Sequence, residues 1–420
     1  MRTIHYLTAN NFGPLADVTL PLGDLNVLVG PNGAGKSWVL RVLKFLGDTA
    51  RLDLHTAILR GGGFDNLRFH GPPVQEDVRL GLVGTVTEHS SVRAPDVYIL
   101  SFSRDPTDPK TLRRFEYLKF KRQKGPGRSM VLSSYDVEGF AEEGNVLHVL
   151  QQLPPEFVQR MGIDAEALAS GPKFELVPGA TALATLRKLP KAKGAPQFDT
   201  LARLLESFVV YSFGGEAGHA PERMPEADAE LPNLADDGEN LGTYLCVLKR
   251  LHPEVFARIE ADLAYIYPSL TGLELVPLGG AGAGVAVALR ERAFAEPTFL
   301  NRASFGTTQA LALLTLLHAP NAPQILAMEE PDHGLHPHAL DRVVERLREA
   351  STRSQILVTT HSPALVNRLD PSEIIVCERD AETGAARIPA IEPETVKAMM
   401  ETSGLGPGEL WFSGALGGGL

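Results

Sequence analysis

The chain has 420 residues, 44% of them hydrophobic and 22% charged, and a formal net charge of −11. That length can bury a sizeable core in one large or two modest domains, and the composition is that of an ordinary globular protein. The acidic balance argues against a surface that coats nucleic acid non-specifically, though not against a local basic patch, and no run of about 18 apolar residues is present to span a membrane.

Met1 to Asn11 reads as a polar-interrupted strand, with neither the basic nor the apolar region of a signal peptide. Strands are predicted at Ile4 to Asn11, Val18 to Leu22 and Leu25 to Val29, the last running into Gly30. Val39, Leu40, Val42, Leu43 and Leu46 then recur at helical spacing within Ser37 to Leu46. The intervening Gly30-Pro31-Asn32-Gly33-Ala34-Gly35-Lys36-Ser37 therefore joins a buried strand to a helix, the context that a phosphate-binding loop requires. Its glycines let the backbone wrap closely and turn N–H groups inward, and the helix adds its positive end. In such a loop Lys36 reaches the β- and γ-phosphates of ATP and the Ser37 hydroxyl ligates Mg²⁺. Gly30 through Trp38 is the candidate nucleotide-binding segment.

Strand-like segments follow at Val78 to Glu88, Val97 to Ser103, Arg114 to Arg122 and Met130 to Ser134, separated by turn formers such as Asp105-Pro106 and Gly125-Pro126-Gly127. They predict an antiparallel subdomain beside the nucleotide core. Within it, Arg113, Arg114, Lys119, Lys121, Arg122, Lys124 and Arg128 interleave with Phe115, Tyr117 and Phe120. This basic ribbon, 113–128, is the best candidate for contact with DNA or an acidic partner, and it reads equally as a hairpin with a solvated basic face. Residues 140 to 270 are mostly helical in pattern, broken by a Pro/Gly/Ala-rich stretch from Gly214 to Asp237, without heptads sustained enough for a long coiled coil. Strands at Leu273 to Val276, Val285 to Leu289, Gln324 to Met328 and Gln355 to Thr359 surround helices at Gly306 to Leu317 and Ala339 to Ala350. Such alternation predicts a parallel sheet with crossover helices. The glycine-rich end, Gly414 to Leu420, is expected to be disordered. Cys246 and Cys377 stand far apart with no second cysteine near either, which fits neither a zinc site nor a disulfide scaffold and points to a reducing cytoplasm.

Two strand ends carry chemistry. Ile325 to Met328 leads into Glu329-Glu330-Pro331-Asp332, which places adjacent carboxylates at the C-terminal edge of a parallel sheet, where ligands bind. Glu329 can hold the Mg²⁺ shell while Glu330 polarises the attacking water; taken alone, the pair reads equally as solvated. Ile356 to Thr359 leads into Thr360-His361-Ser362-Pro363, with a histidine able to bond a γ-phosphate or, alternatively, to cap a turn.

The phrase Asn26 to Ser37, the phrase Glu329 to Pro337 and the phrase Thr359 to Pro363 together resemble the Walker A, Walker B/D-loop and H-loop of ATP-binding-cassette-type ATPases of the SMC/RecF/OLD branch. The resemblance spans nearly the whole chain. It implies an α/β P-loop NTPase fold with an ABC-ATPase-like head, a mixed core sheet plus an antiparallel β-subdomain, and a helical insertion. It implies ATP hydrolysis with Mg²⁺, a homodimer that closes on ATP, and a role linked to DNA, in repair or anti-phage defence, beside a separate effector or nuclease. The signature motif that reaches the partner's nucleotide is best matched by Ala303 to Gln309, in which Ser304 and Gly306 are the phosphate contacts and Phe305 stands where the commoner pattern has a glycine. An amphipathic helix is predicted from Thr308 to Leu317. Asn11-Phe12 matches a phrase of the branch and is assigned to packing; no glutamine matches its Q-loop, and Asn66 to His70 occupies about that region. Zinc-hook cysteines and an acidic nuclease module beyond residue 380 are absent from the sequence, and Leu405 to Trp411 resembles the C-terminal phrase of compact members. The expected division is 1–139 for the N-terminal lobe, 140–237 for the insertion and linker, 238–395 for the C-terminal lobe and 396–420 for the tail.

Overall fold

The computed structural model describes residues 3–72, 77–105, 112–121, 129–137, 181, 183, 195–214, 217–220, 222–279 and 284–416. The helical pattern predicted across 140–194 falls almost wholly outside these residues, as do Arg122, Lys124, Arg128 and the last four residues of the glycine-rich end.

The chain opens with strands β1 (Ile4–Phe12), β2 (Leu15–Pro21) and β3 (Leu25–Val29), then helices α1 (Lys36–Arg51), α2 (Leu54–Arg60) and α3 (Phe64–Leu67). Strands β4 (Val78–Gly84), β5 (Asp96–Arg104), β6 (Leu112–Lys121) and β7 (Ser129–Val137) join the first two in an antiparallel sheet of order β2-β1-β4-β5-β6-β7. Burial in β2 alternates from Asp17 to Pro21, as one solvated face demands, whereas all five residues of β3 are buried. That difference separates the two sheets. β3 turns away from the antiparallel layer and becomes a central strand of the second.

The chain continues through α4 (Ala195–Glu206), β8 (Val210–Tyr211), α5 (Leu241–Leu251), α6 (Pro253–Ile266), β9 (Leu270–Pro277), β10 (Val285–Glu291) and β11 (Thr298–Phe299). Then come α7 (Phe305–His318), β12 (Ile325–Glu329), α8 (Pro337–Ser351), β13 (Gln355–Thr359), α9 (Pro363–Val366) and β14 (Ile374–Val376). A short hairpin, β15 (Glu378–Arg379) and β16 (Ala386–Arg387), and helices α10 (Pro393–Ser403) and α11 (Pro407–Phe412) complete it. The core sheet has the order β14-β3-β13-β12-β8. A mixed core sheet is expected from the sequence; its described strands pair in parallel throughout, and antiparallel pairing is confined to the other sheets. Crossover helices explain this, because α8 lies between β12 and β13 and α9 between β13 and β14, each returning the chain to the same edge.

One apolar core lies between this sheet and α5, α6, α7 and α8; a second joins α1 and the opposite side of the sheet to the antiparallel layer. Helix α7 departs from expectation. It is predicted to be amphipathic, yet every residue from Gly306 to His318 is buried, because α6 and α8 pack beside it over the sheet. The buried carboxylate of Asp262 on α6 ties this three-helix group together. It lies 2.7 Å from His318 Nε2 on α7, 2.7 Å from Arg346 Nε and 3.6 Å from Arg342 Nε on α8. At the C-terminus, Leu410 and Trp411 of α11 pack into the first core, and Asn367 Oδ1 accepts a bond from Gly408 N at 2.7 Å. Among the described residues, no helix is long and apolar enough to cross a membrane.

Candidate functional site

The C-terminal ends of β3, β12 and β13 lie side by side at one edge of the parallel sheet, where the chain leaves each strand. At the end of β3, Gly30 has φ 152°, and a Cβ there would lie 2.1 Å from the Cys377 carbonyl oxygen. Only glycine lets the loop pass this close to the strand end beyond it. Gly35 precedes α1 with φ 101°, and Lys36 and Ser37 form the first turn of the helix. The Lys36 ammonium donates to the carbonyls of Gly30 at 2.7 Å and Pro31 at 2.9 Å, folded against its own loop. Burial lowers its pKa, against the opposing influence of Cys377 and Glu330. Burial also pushes the Cys377 thiol up to about 12, so this cysteine is an inert packing group behind the loop.

From β12, Glu329 accepts a hydrogen bond from the Ser37 hydroxyl. Glu330 follows with φ 45°, a left-handed conformation that costs a non-glycine residue about 1 kcal/mol or more. Its amide donates to the Thr359 carbonyl at 3.0 Å, which pins the bend and sends the two carboxylates in different directions. The Glu330 carboxylate stands 3.5 Å from His361 Nε2 and 3.7 Å from His333 Nδ1. Burial and then the nearby Lys36 lower the His361 pKa, with Glu330 opposing, so the imidazole is neutral at neutral pH. Behind this pair, the buried Asp332 accepts from Thr360 Oγ1 at 2.8 Å, and Gln309 of α7 donates to the Pro331 carbonyl at 3.3 Å. The acid-bearing loop is thus fixed from two sides.

Asn32, Gly33, Gly35, Lys36, Ser37, Trp38, Glu330 and His361 line a cavity of about 710 Å³. Gly30, Pro31 and Ala34 belong to the loop but not to the cavity wall, and Glu329 reaches it through Ser37. The structure therefore brings together the loop, both acids and the histidine. Ser304 and Gly306 stand outside this cavity: Ser304 Oγ accepts from Thr307 N at 3.2 Å and caps α7. Phe305 is 42% exposed, lies 5.3 Å from the His333 ring, and covers Gly334 so closely that a Cβ there would be 2.4 Å from the Phe305 ring.

Arg68, Phe69 and His70, in the segment placed near the family's Q-loop without an assigned role, also line the wall, as do Arg41, Arg379 and Thr383, which belong to no motif. Trp38 packs edge-on to Phe12, with ring centroids 5.3 Å apart, and the Arg41 guanidinium lies 4.7 Å from its ring centre. Asn11 Oδ1 accepts from Phe69 N at 3.0 Å and holds the segment Asn66 to Gly71 against the cavity, so Asn11-Phe12 packs as anticipated.

The basic ribbon is partly buried where it is described. Arg113 pairs with Asp105 at 2.9 Å, and Arg114, 3% exposed, bonds the fully buried Glu116 at 2.8 Å. β6 is an interior strand between β5 and β7, so Phe115, Tyr117 and Phe120 are buried and Lys119 and Lys121 are only half open. Arg114 is thus held in the core by Glu116, while Arg113, partly exposed, is paired with Asp105.

Residues 25–138 and 213–367, more than half of the chain, match the family described as "AAA domain, putative AbiEii toxin, Type IV TA system". A stretch of 43 residues is 54% identical to the OLD nuclease of Thermus scotoductus, spanning 10% of this chain and 8% of that protein. The Smc head domain with an extended coiled coil, bound to the C-terminal domain of ScpA, from Pyrococcus furiosus superposes with a TM-score of 0.50 at 13% identity, covering 96% of this chain and 99% of that one. The Smc head domain with a coiled coil and joint from Pyrococcus yayanosii gives 0.50 at 12% identity, covering 96% and 100%. At such identities the likeness is one of fold.

Proposed function

The chain belongs to this AAA-domain family of AbiEii type, a P-loop ATPase of ABC/SMC/OLD kind, and from that premise we propose that it binds and hydrolyses Mg-ATP and closes as a homodimer upon it. The observation that carries the reading is the convergence of Lys36, Ser37, Glu329, Glu330 and His361 from three parallel strand ends on one cavity. A cavity of about 710 Å³ has room for a nucleoside triphosphate. Backbone N–H groups of the non-proline residues from Gly30 to Trp38, at the start of α1, hold the phosphates, and Lys36 exchanges the carbonyls of Gly30 and Pro31 for the β- and γ-phosphates. Ser37 and Glu329 are hard oxygen donors of the kind Mg²⁺ takes, and the ion there supplies charge neutralisation. Glu330 orients the attacking water and accepts its proton, while His361 orients Glu330 and bonds the terminal phosphate. Ser304 and Gly306, away from their own chain's cavity at the N-terminus of α7, serve the nucleotide of the second protomer. In this reading 1–139 and 238–395 are the two lobes, 140–237 the insertion and 396–420 the tail.

The output we propose is linked to DNA, in repair or anti-phage defence, and is delivered by a separate effector. It draws support from the segment shared with a nuclease and from the family's toxin–antitoxin description. A regulatory module with little turnover is the rival reading, favoured by Phe305, whose exposed ring stands where close approach to a phosphate needs space.

Wild-type turnover is expected to exceed that of Lys36→Ala by about 100-fold or more. Equal turnover would assign the chain to the regulatory reading. With ATP present, sedimentation of Glu330→Gln should show a dimer; a persistent monomer would sink ATP-driven closure. Binding of duplex DNA, followed across salt with and without ATP, should show a nucleotide-dependent affinity that falls with salt. No binding in any state would move the DNA contact to the effector.

A further inference from the structure

Beyond β14 the chain forms a small hairpin that none of the motifs includes. Asp380 shapes its turn: Oδ1 accepts from Thr383 N at 2.9 Å, Thr383 Oγ1 at 2.9 Å and Glu382 N at 3.1 Å, and Arg387 pairs with Oδ2. The hairpin is seated against the phosphate loop and its neighbours. Ala386 N donates to the Pro14 carbonyl at 2.8 Å, a Cβ on Gly35 would lie 2.9 Å from Ala386 Cβ, and one on Gly71 would lie 2.3 Å from the Thr383 carbonyl oxygen. Arg379 is carried by this scaffold into the wall of the cavity, where its Nη1 is 3.7 Å from the Cβ position of Gly33, at the middle of the loop. Its Nε donates to the Gly384 carbonyl at 3.0 Å, which fixes the plane of the guanidinium. Unlike Arg68, which Asp65 holds, Arg379 has no carboxylate partner among the described residues. An exposed cation on a built scaffold, aimed at a loop whose amides face anions, is complementary to a phosphate chain.

We propose that Arg379 is a second phosphate-binding cation, acting in cis with Lys36 and presented by the hairpin β15–β16; this rests on the Mg-ATP reading above. Its Nη atoms donate to phosphate oxygens of the bound nucleotide, on the side of the loop that Gly33 marks. It sets affinity and not the rate of the chemical step, because Glu330 and His361, not Arg379, flank the water's position. A charge-assisted hydrogen bond of this kind corresponds to about a tenfold change in Kd.

The test is Mg-ATP binding to the full chain by calorimetry and steady-state hydrolysis, comparing wild type, Arg379→Ala, Arg379→Lys, Arg387→Ala and Lys36→Ala. Expected are a roughly tenfold weaker Kd and raised KM for Arg379→Ala at unchanged kcat, partial recovery in Arg379→Lys, and a shallower salt dependence of Kd. Arg387→Ala removes the hairpin's ion pair outside the cavity and should bind nearly as wild type. If Arg379→Ala binds as wild type while Lys36→Ala loses binding, the role of Arg379 is overturned and the Mg-ATP reading stands. If Arg387→Ala loses as much as Arg379→Ala, hairpin shape and not the guanidinium is responsible, which also overturns it. If wild type itself binds no Mg-ATP, the underlying reading fails first.

Discussion

Glu330→Gln should lower kcat for ATP hydrolysis by about 100- to 10,000-fold while leaving the Kd for Mg-ATP within about twofold. The substitution keeps the side chain's size and removes only its capacity to take a proton. The bend at Glu330 is held by its amide bond to the Thr359 carbonyl, which glutamine retains, so the loop should keep its path. In the proposed reading His361, 3.5 Å away, is engaged with the terminal phosphate and so is not free to replace the base. Phosphate release and equilibrium binding, measured on the same preparation, separate the two quantities. A fall below tenfold would take the base assignment away from Glu330. A parallel loss of binding would instead mark Glu330 as part of the metal shell, in place of Glu329.

The second large effect concerns stability. Asp262→Ala should destabilise the fold by about 3 kcal/mol, because it leaves Arg342, Arg346 and His318 facing one another without their shared anion. The two arginines keep some access to solvent, which places the cost at the low end for a buried pair. Asp262→Asn retains one acceptor and should lose less. Urea midpoints at unchanged slope report the difference. The effect also depends on pH. Burial pushes the Asp262 carboxyl up, but bonds from His318 and Arg346 outweigh it and leave the pKa below its ordinary value. A carboxylate so held adds stability above its unfolded pKa of about 3.9, and that contribution is lost as pH falls through the lower folded value. The gap between wild type and Asp262→Ala should therefore be full at pH 7 and close in strong acid. A constant gap down to about pH 2 would show that packing, not charge, is what Ala removes. Since Ser304 caps α7 and His336 caps α8, loosening this cluster should also weaken the ATP-driven closure proposed above.

The residues legible in the sequence are those whose role is set by local backbone. Gly30 to Ser37 specify a strand, a close turn and a helix start within eight consecutive positions, and glycine's lack of a Cβ is a local requirement. Glu329, Glu330 and His361 stand at the ends of short apolar runs, so their place at one edge of a parallel sheet follows from strand polarity alone. The antiparallel layer was readable from the strand-like segments and turn formers between Val78 and Ser134, but not that β1 and β2 join it. Boundaries were less so: α1 continues past Leu46 to Arg51 because Arg51 finds Asp48 at 2.9 Å and the carbonyl of Phe208 at 3.0 Å, a partner from another part of the chain.

What tertiary structure alone decided is which distant groups share a surface. Helix α7 reads as amphipathic, yet neighbours on both sides bury it, and no local period reports how many faces will be covered. Arg114 reads as part of a cationic ribbon, yet Glu116 lies two residues away on an interior strand and holds it in the core. Asp262 belongs to no motif, yet α7 brings it a histidine and α8 two arginines. Arg379 reads as an unremarked charge after the last long strand, yet the turn built on Asp380 sets it beside Gly33. The nucleotide-binding loop and its partner acids are written in local spacing because backbone geometry is local. The walls of the cavity are not, because charge pairing and burial depend on through-space distances that only the folded chain defines.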